Sequence, residues 1–157
     1  MRQFLTPSRE GTKGQDKRKI GWSMERENRI AKDLVDAAYK VHKDTGPGLL
    51  ESVYEVILAH ELRRRGYNVS RQVPIGIRYE DMEIADAFRA DLVVDDLIIV
   101  ELKSVEDIQP VHKKQVLTYL RLTNKRLGFV INFGAPLIKE GLIRIINAPN
   151  FFEANNF

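Results

Sequence analysis

The sequence predicts an α/β domain, and three observations predict it. Two helical apolar stripes open the chain, a series of short strand-like runs follows, and one further helix sits between strands. The order read this way is ααβββαβ, with room for one more strand at the end. A length of 157 residues suits one domain with a real core and is too short for two ordinary ones.

The elements follow in order. From Met24 onward Ile30, Leu34, Ala37, Ala38 and Val41 recur at helical spacing with charges between them, until "DTGPG" stops the helix. Gly46, Pro47 and Gly48 make a turn. A second helix over about 49–65 carries Leu50, Val53, Ile57, Leu58 and Leu62 as its apolar stripe, with Gly66 as C-cap. "RQVPIGIRYED" alternates Val73, Ile75, Ile77 and Tyr79 against polar or small neighbours, and Pro74 sends that strand to a sheet edge or a bulge. "AFRADLVV" and "LIIVELKS" are two strands joined at Asp95 and Asp96. A third helix over about 110–122 starts on Pro110, whose missing N–H costs nothing in a first turn, and packs through Val116, Leu117 and Leu120. "RLGFVINFG" is a core strand and "LIRIIN" is the candidate last one. The expected division is a disordered basic tail over 1–23, one domain over 24–150, and a frayed end over 151–157.

Composition narrows the chemistry. The lack of cysteine excludes disulfides and thiolate metal sites, and three scattered histidines without zinc-site spacing argue against structural zinc, so any metal is expected to be oxygen-ligated. No run approaches 18 uninterrupted apolar residues and no signal-like apolar region opens the chain; the expectation is a cytoplasmic protein without membrane partners. The net charge of +3 is unevenly spread. Residues 1–23 hold six basic and two acidic residues, leaving 19 basic and 20 acidic for the rest. A broadly basic nucleic-acid face is therefore not visible in the domain, and the tail is either merely solvated or a weak, salt-sensitive phosphate contact.

The chemical question lies in "FRADLVVDDLIIVELKS", an apolar hairpin that holds Asp91, Glu101 and Lys103. Alternation places Arg89, Asp91 and Val93 on one face, with Phe88, Ala90, Leu92 and Val94 on the other. Glu101 and Lys103 share a face with Ile99. A two-residue turn would put Asp91 and Glu101 on opposite faces, whereas an odd loop or a bulge would bring them opposite one another. The odd register is predicted, because two carboxylates facing each other make sense when they share a cation. Periodicity alone leaves two readings open: a same-face Glu101–Lys103 ion pair, or a hard divalent cation on Asp91 and Glu101 with Lys103 beside it. Magnesium fits the second, since it uses one or two carboxylates and keeps several waters.

Asp91, Glu101 and Lys103, spaced D-x9-E-x-K across a hairpin, resemble the signature of the PD-(D/E)XK nuclease superfamily. "GPGLLESVYE" is similar to the G-x-x-E-x-x-Y motif of that superfamily's GxxExxY family, through Gly48, Glu51 and Tyr54. "RQVPI", "FRADLVV", "VELKS", "PVHKKQVLTYL" and "GFVINFG" resemble that family's segments in the same order, over roughly 30–146. The resemblance implies a restriction-endonuclease-like αβββαβ core, with a mixed central sheet flanked by helices and an extra N-terminal helix.

It also implies roles. Glu51 takes the place of the motif I acid, Asp91 and Glu101 of the central metal-binding acids, and Lys103 of the catalytic lysine. The Leu102 backbone carbonyl is a further candidate ligand. Ala90 stands where the superfamily name has proline, which removes no chemistry. Gln115 and Tyr119, four apart on one helix face, match a Q-x-x-x-Y element that orients Lys103 or touches the substrate backbone; ordinary helix packing is the alternative. Arg89 either grips a phosphate or neutralises the acids. Tyr54 packs or hydrogen-bonds rather than reacts, Glu55 is a spectator, and His42 and His112 are surface residues. Arg63, Arg64 and Arg65 suit a helix C-terminus, or meet a nucleic-acid backbone. The expected activity is Mg2+-dependent phosphodiester hydrolysis, with Mn2+ as substitute and DNA favoured over RNA. The alternative is a silent nucleic-acid or protein binding accessory module. A homodimer, a partner protein or the basic tail is the expected source of the missing basic surface.

Overall fold

The computed structural model describes residues 23–148. Apart from Ser23, the segments expected to form the basic tail and the frayed end lie outside the described residues. Helices α1 (Glu25–Thr45) and α2 (Glu51–Arg64) are followed by strands β1 (Val69–Tyr79), β2 (Met82–Val94) and β3 (Ile98–Lys103). Helix α3 (Pro110–Leu122), strand β4 (Leu127–Asn132), a 3-10 turn (Ile138–Glu140) and strand β5 (Leu142–Ile146) complete the order. The expected ααβββαβ order and the extra final strand are both present. None of the described helices is long and apolar enough to cross a membrane.

The five strands form one mixed sheet in the order β1-β2-β3-β4-β5. Only β3 and β4 run parallel, joined through α3; the other neighbours are antiparallel. A parallel connection needs a crossover, and α3 supplies it from one face of the sheet. Alternation sorts the side chains. Ile98, Val100, Leu102, Leu127, Phe129 and Ile131 pack with α1 and α2. Ile99 and Val130 pack with Val116, Tyr119 and Leu120 of α3 on the other face. Gly128 lets α3 come close: a Cβ there would stand 2.6 Å from Val116 Cγ1. The sheet is buried on both faces at its centre, so β3 and β4 read as continuous apolar runs.

Two expectations need correction. Helical spacing places Leu50 and Val53 in the apolar stripe of α2, but they are exposed, Leu50 by 73%. The helix begins at Glu51, which leaves Leu50 outside it, and the buried stripe is Tyr54, Leu58, Ala59 and Leu62. Strand β2 begins at Met82 rather than Ala87. Its first half pairs only with β1, forming a two-stranded arm with Tyr79, Met82 and Ile84 exposed. A ribbon wet on both sides carries no burial pattern for a sequence reading to find. Pro74 lies on β1, an edge strand, as expected.

Candidate functional site

The turn before α2 is built by the Gly-x-x-Glu-x-x-Tyr spacing itself. Gly46 and Gly48 adopt φ of +69° and +109°, which a side chain disfavours. The Tyr54 hydroxyl donates to the Gly46 carbonyl (2.6 Å) and accepts from the Leu49 N–H (3.1 Å). Its ring is fully buried against Phe133, 4.4 Å between centroids and nearly parallel. Tyr54 thus closes the turn one helical turn beyond Glu51 and fixes where Glu51 enters the helix. Ser104 Oγ, just past β3, donates to the Leu49 carbonyl (2.8 Å) and ties the turn to the strand carrying Lys103.

The β2–β3 hairpin has the odd register. Val94 pairs with Ile98, so the loop is Asp95, Asp96 and Leu97, with both aspartates in the left-handed region at φ near 50° and 57°. Short polar side chains tolerate that conformation. The ladder stops at Leu92–Val100, one residue before Asp91 and Glu101 would meet. There the Leu102 N–H donates to Asp91 Oδ2 (2.7 Å), and the Asp91 side chain takes a backbone partner's place. Beyond that point the face assignment from alternation fails. Ala90 lies in the cluster under α3 together with Val93, and Phe88 packs on Tyr119 at 5.4 Å, instead of facing away from Asp91's side. The strand turns as it separates, leaving the carboxylate in the gap between strands.

Glu101 is 4% exposed, and its Oε1 accepts from Lys103 Nζ at 3.0 Å. Its other oxygen, Oε2, is buried with no hydrogen-bond partner. Burial, with the Asp91 charge added, pushes the Glu101 carboxyl up to about 7 despite the lysine. Asp91 is also raised, first by burial, with the Leu102 N–H opposing. Burial alone would lower Lys103, but the Glu101 carboxylate beside it holds the ammonium above its usual value. Tyr119 is raised by burial and then by the charge of Glu101, and its hydroxyl accepts a hydrogen bond from Gln115 Nε2. The predicted Gln115–Tyr119 pair therefore sits at the acids. Half-buried Glu51 is near enough for its charge to act on Asp91, Glu101 and Lys103.

The other candidates fall elsewhere. Arg89 is exposed and bonds to Asp86 (3.3 Å) rather than to the acids. Leu102, by contrast, lies at the acids, its N–H donating to Asp91. His42, expected at the surface, is half-buried; its Nε2 donates to the Ala135 carbonyl (2.9 Å). His112 caps α3 by accepting the Gln109 N–H on Nδ1. Arg63 and Arg65 hold the end of α2 through the Val69 carbonyl, Glu61 and Asp36.

Glu55, expected to be a spectator, is buried and doubly bonded. It accepts from Arg71 Nε (2.8 Å) and Gln72 Nε2 (2.6 Å), and the same Gln72 nitrogen lies 3.4 Å from Asp91 Oδ1. The unfavourable Glu51–Glu55 spacing is a clue that Glu55 needs a basic neighbour, but that neighbour comes from another strand. Asn132 carries no such clue in the sequence. It accepts from the Val105 and Gly134 N–H groups (both 3.0 Å) and donates to the Val105 carbonyl (2.9 Å), pinning the segment after Lys103.

The donor set suits a hard cation in part. Two oxygen ligands with an orphaned buried lone pair fit an ion such as Mg2+, which keeps most of its waters. Among the described residues, no group of three or more His, Asp or Glu side chains is gathered as a ready-made cage, while the Glu51 charge still acts on both acids.

No curated protein and no solved structure matches the chain. The sequence profile of the PD-(D/E)XK nuclease superfamily matches residues 28–145, which spans most of α1, all of α2, the hairpin with its three charges, α3, and nearly all of the last strand. Together with the α/β fold and its mixed five-stranded sheet, this means that the chain belongs to the PD-(D/E)XK nuclease superfamily.

Proposed function

We propose that the protein is a Mg2+-dependent hydrolase of nucleic-acid phosphodiesters, DNA before RNA, and a member of the GxxExxY branch of its superfamily. One observation carries the reading: the partnerless Oε2 of buried Glu101 beside a second, half-buried carboxylate, Asp91. Leaving a buried acceptor unsatisfied costs about 1–3 kcal/mol, so the arrangement suits a ligand that the oxygen can meet. The branch assignment is supported by Gly48, Glu51 and Tyr54, which together shape the entrance to α2.

Asp91 and Glu101 would hold the ion, with Glu51 reaching it through water. Mg2+ supplies a Lewis acid at a phosphate oxygen and acidifies a bound water. Lys103, half-buried and hydrogen-bonded to Glu101, keeps its proton and places a positive charge where negative charge develops on the phosphate. Gln115 and Tyr119 border the same acids and orient the lysine or the substrate backbone. Arg89, exposed on β2 two residues before Asp91, is available to a phosphate if it leaves Asp86. The near-neutral charge outside residues 1–23 calls for added basic surface, from those residues, a second copy or a partner protein.

A second reading is supported by the near-neutral charge outside residues 1–23, which leaves phosphate engagement without an evident basic surface: a binding module with the same fold and no turnover. Labelled DNA and RNA incubated with the full chain and Mg2+ or Mn2+ separate the two. Cleavage by wild type and none by Lys103→Ala supports the hydrolase. Equal inertness of both proteins, with no metal bound in calorimetry, overturns it.

A further inference from the structure

Gln72 breaks two rules at once. It lies inside β1, between Arg71 and Val73, which pair with Leu92 and Ala90, so its place is opposite Asp91; yet Gln72 and Asp91 do not pair. Its φ is +52°, the left-handed region, where an unbranched residue other than glycine is strained by about 1–3 kcal/mol. Such strain persists only where neighbouring contacts hold it.

The contacts are at hand. Gln72 Nε2 donates to Glu55 Oε2 at 2.6 Å, and Glu55 is fixed from its other side by Arg71 at 2.8 Å. Glu55 is 4% exposed and sits on α2, one turn after Glu51. The Gln72 amide also reaches Asp91 Oδ1 at 3.4 Å, while Asp91 Oδ2 is held by the Leu102 N–H at 2.7 Å. The carboxylate is therefore gripped on one oxygen by β3 and steadied on the other by β1. The steadying contact is long and comes from a neutral amide, so it sets orientation without competing in charge with a cation. A buried acid on α2, a strained amide on the edge strand and the acid on β2 form one continuous chain of hydrogen bonds.

We propose that Gln72, locked by Glu55, is a positioning residue that orients the Asp91 carboxylate for cation binding and couples it to the helix that carries Glu51. This rests on the reading of Asp91 as a cation ligand. Partners that orient ligating carboxylates change metal affinity about 10–100-fold when removed.

Gln72→Gly is the informative variant, because glycine accepts the left-handed backbone while the amide is deleted. Two measurements on the full chain apply: Mn2+ titration calorimetry, and amide hydrogen exchange at Leu102 in metal-free protein. The expected result is Mn2+ affinity at least about tenfold weaker than wild type and faster Leu102 exchange, with only a small change in the unfolding midpoint, because relief of the left-handed strain offsets the partner that buried Glu55 loses. Gln72→Asn, which also tolerates the left-handed region but is one methylene shorter, should behave similarly and serves if the glycine variant folds poorly. Equal Mn2+ affinity in wild type and variants overturns the positioning role while leaving the cation site intact. Failure of wild type itself to bind Mn2+ overturns the cation reading, and the positioning role falls with it.

Discussion

Glu101→Gln in the metal-free protein tests the electrostatics of the site without requiring activity. The carboxyl is pushed from an ordinary 4.5 to about 7, first by burial and then by Asp91. A raised folded-state value means that the native protein holds the proton more tightly than the unfolded chain. The resulting stability is complete below about pH 4.5, falls as the pH rises, and is lost once the pH passes about 7. A shift of that size, at 1.36 kcal/mol per pH unit, corresponds to about 3 kcal/mol, an upper bound because Lys103 can move with the carboxylate. Urea unfolding in the presence of a chelator, followed from pH 5 to 8, should show wild type losing up to that amount more than Glu101→Gln over the interval. On the proposed cation site, saturating Mg2+ should flatten the wild-type curve, since an ion held there would stabilise the charged form. Parallel curves for the two proteins in chelator would refute the claim that Glu101 is held protonated by burial and by Asp91.

Three further outcomes follow from the scaffold. Tyr54→Phe keeps the ring on Phe133 but leaves the Gly46 carbonyl and Leu49 N–H without their partner, and should lower unfolding free energy by about 1–3 kcal/mol in denaturant titrations. Gly134→Ala would place a methyl 2.4 Å from the Val105 carbonyl oxygen, against backbone that cannot move cheaply. Its melting temperature should fall by several degrees, as expected for a loss of about 2 kcal/mol in a domain of this size. Arg89→Ala removes an exposed side chain whose ion pair with Asp86 is also exposed, so it should leave the melting temperature within about 1–2 °C of wild type. Fluorescence anisotropy with labelled DNA should nevertheless show weaker binding if Arg89 meets a phosphate.

Much of the fold is legible in the sequence because its signals are local. Pro110 at the first turn of α3 and the apolar runs of β3 and β4 each act within a few residues. The arm of β2 is not legible, since a ribbon exposed on both sides has no burial pattern. Leu50 defeats the helical spacing because one residue at a helix boundary decides whether a leucine joins the stripe, and boundaries are set by the turn beyond it.

The chemistry of the hairpin is written in its residue types. Asp91, Glu101 and Lys103 within an apolar stretch require a reason, and the spacing with Glu51 and Tyr54 suggests one. The odd register follows from the demand that the carboxylates approach, and the paired aspartates in the left-handed region provide it. Only tertiary structure decides which oxygens are free. Leu102 claims one oxygen of Asp91, Lys103 claims one of Glu101, and the second oxygen of Glu101 is left buried and unmet. Only tertiary structure, too, brings Glu55 to Arg71 and Gln72, residues 16 and 17 positions away on another element. Periodicity reports which face a residue shares with its own neighbours. It carries no information about what another strand or helix lays against that face, and at this site that is what sets orientation, burial and charge.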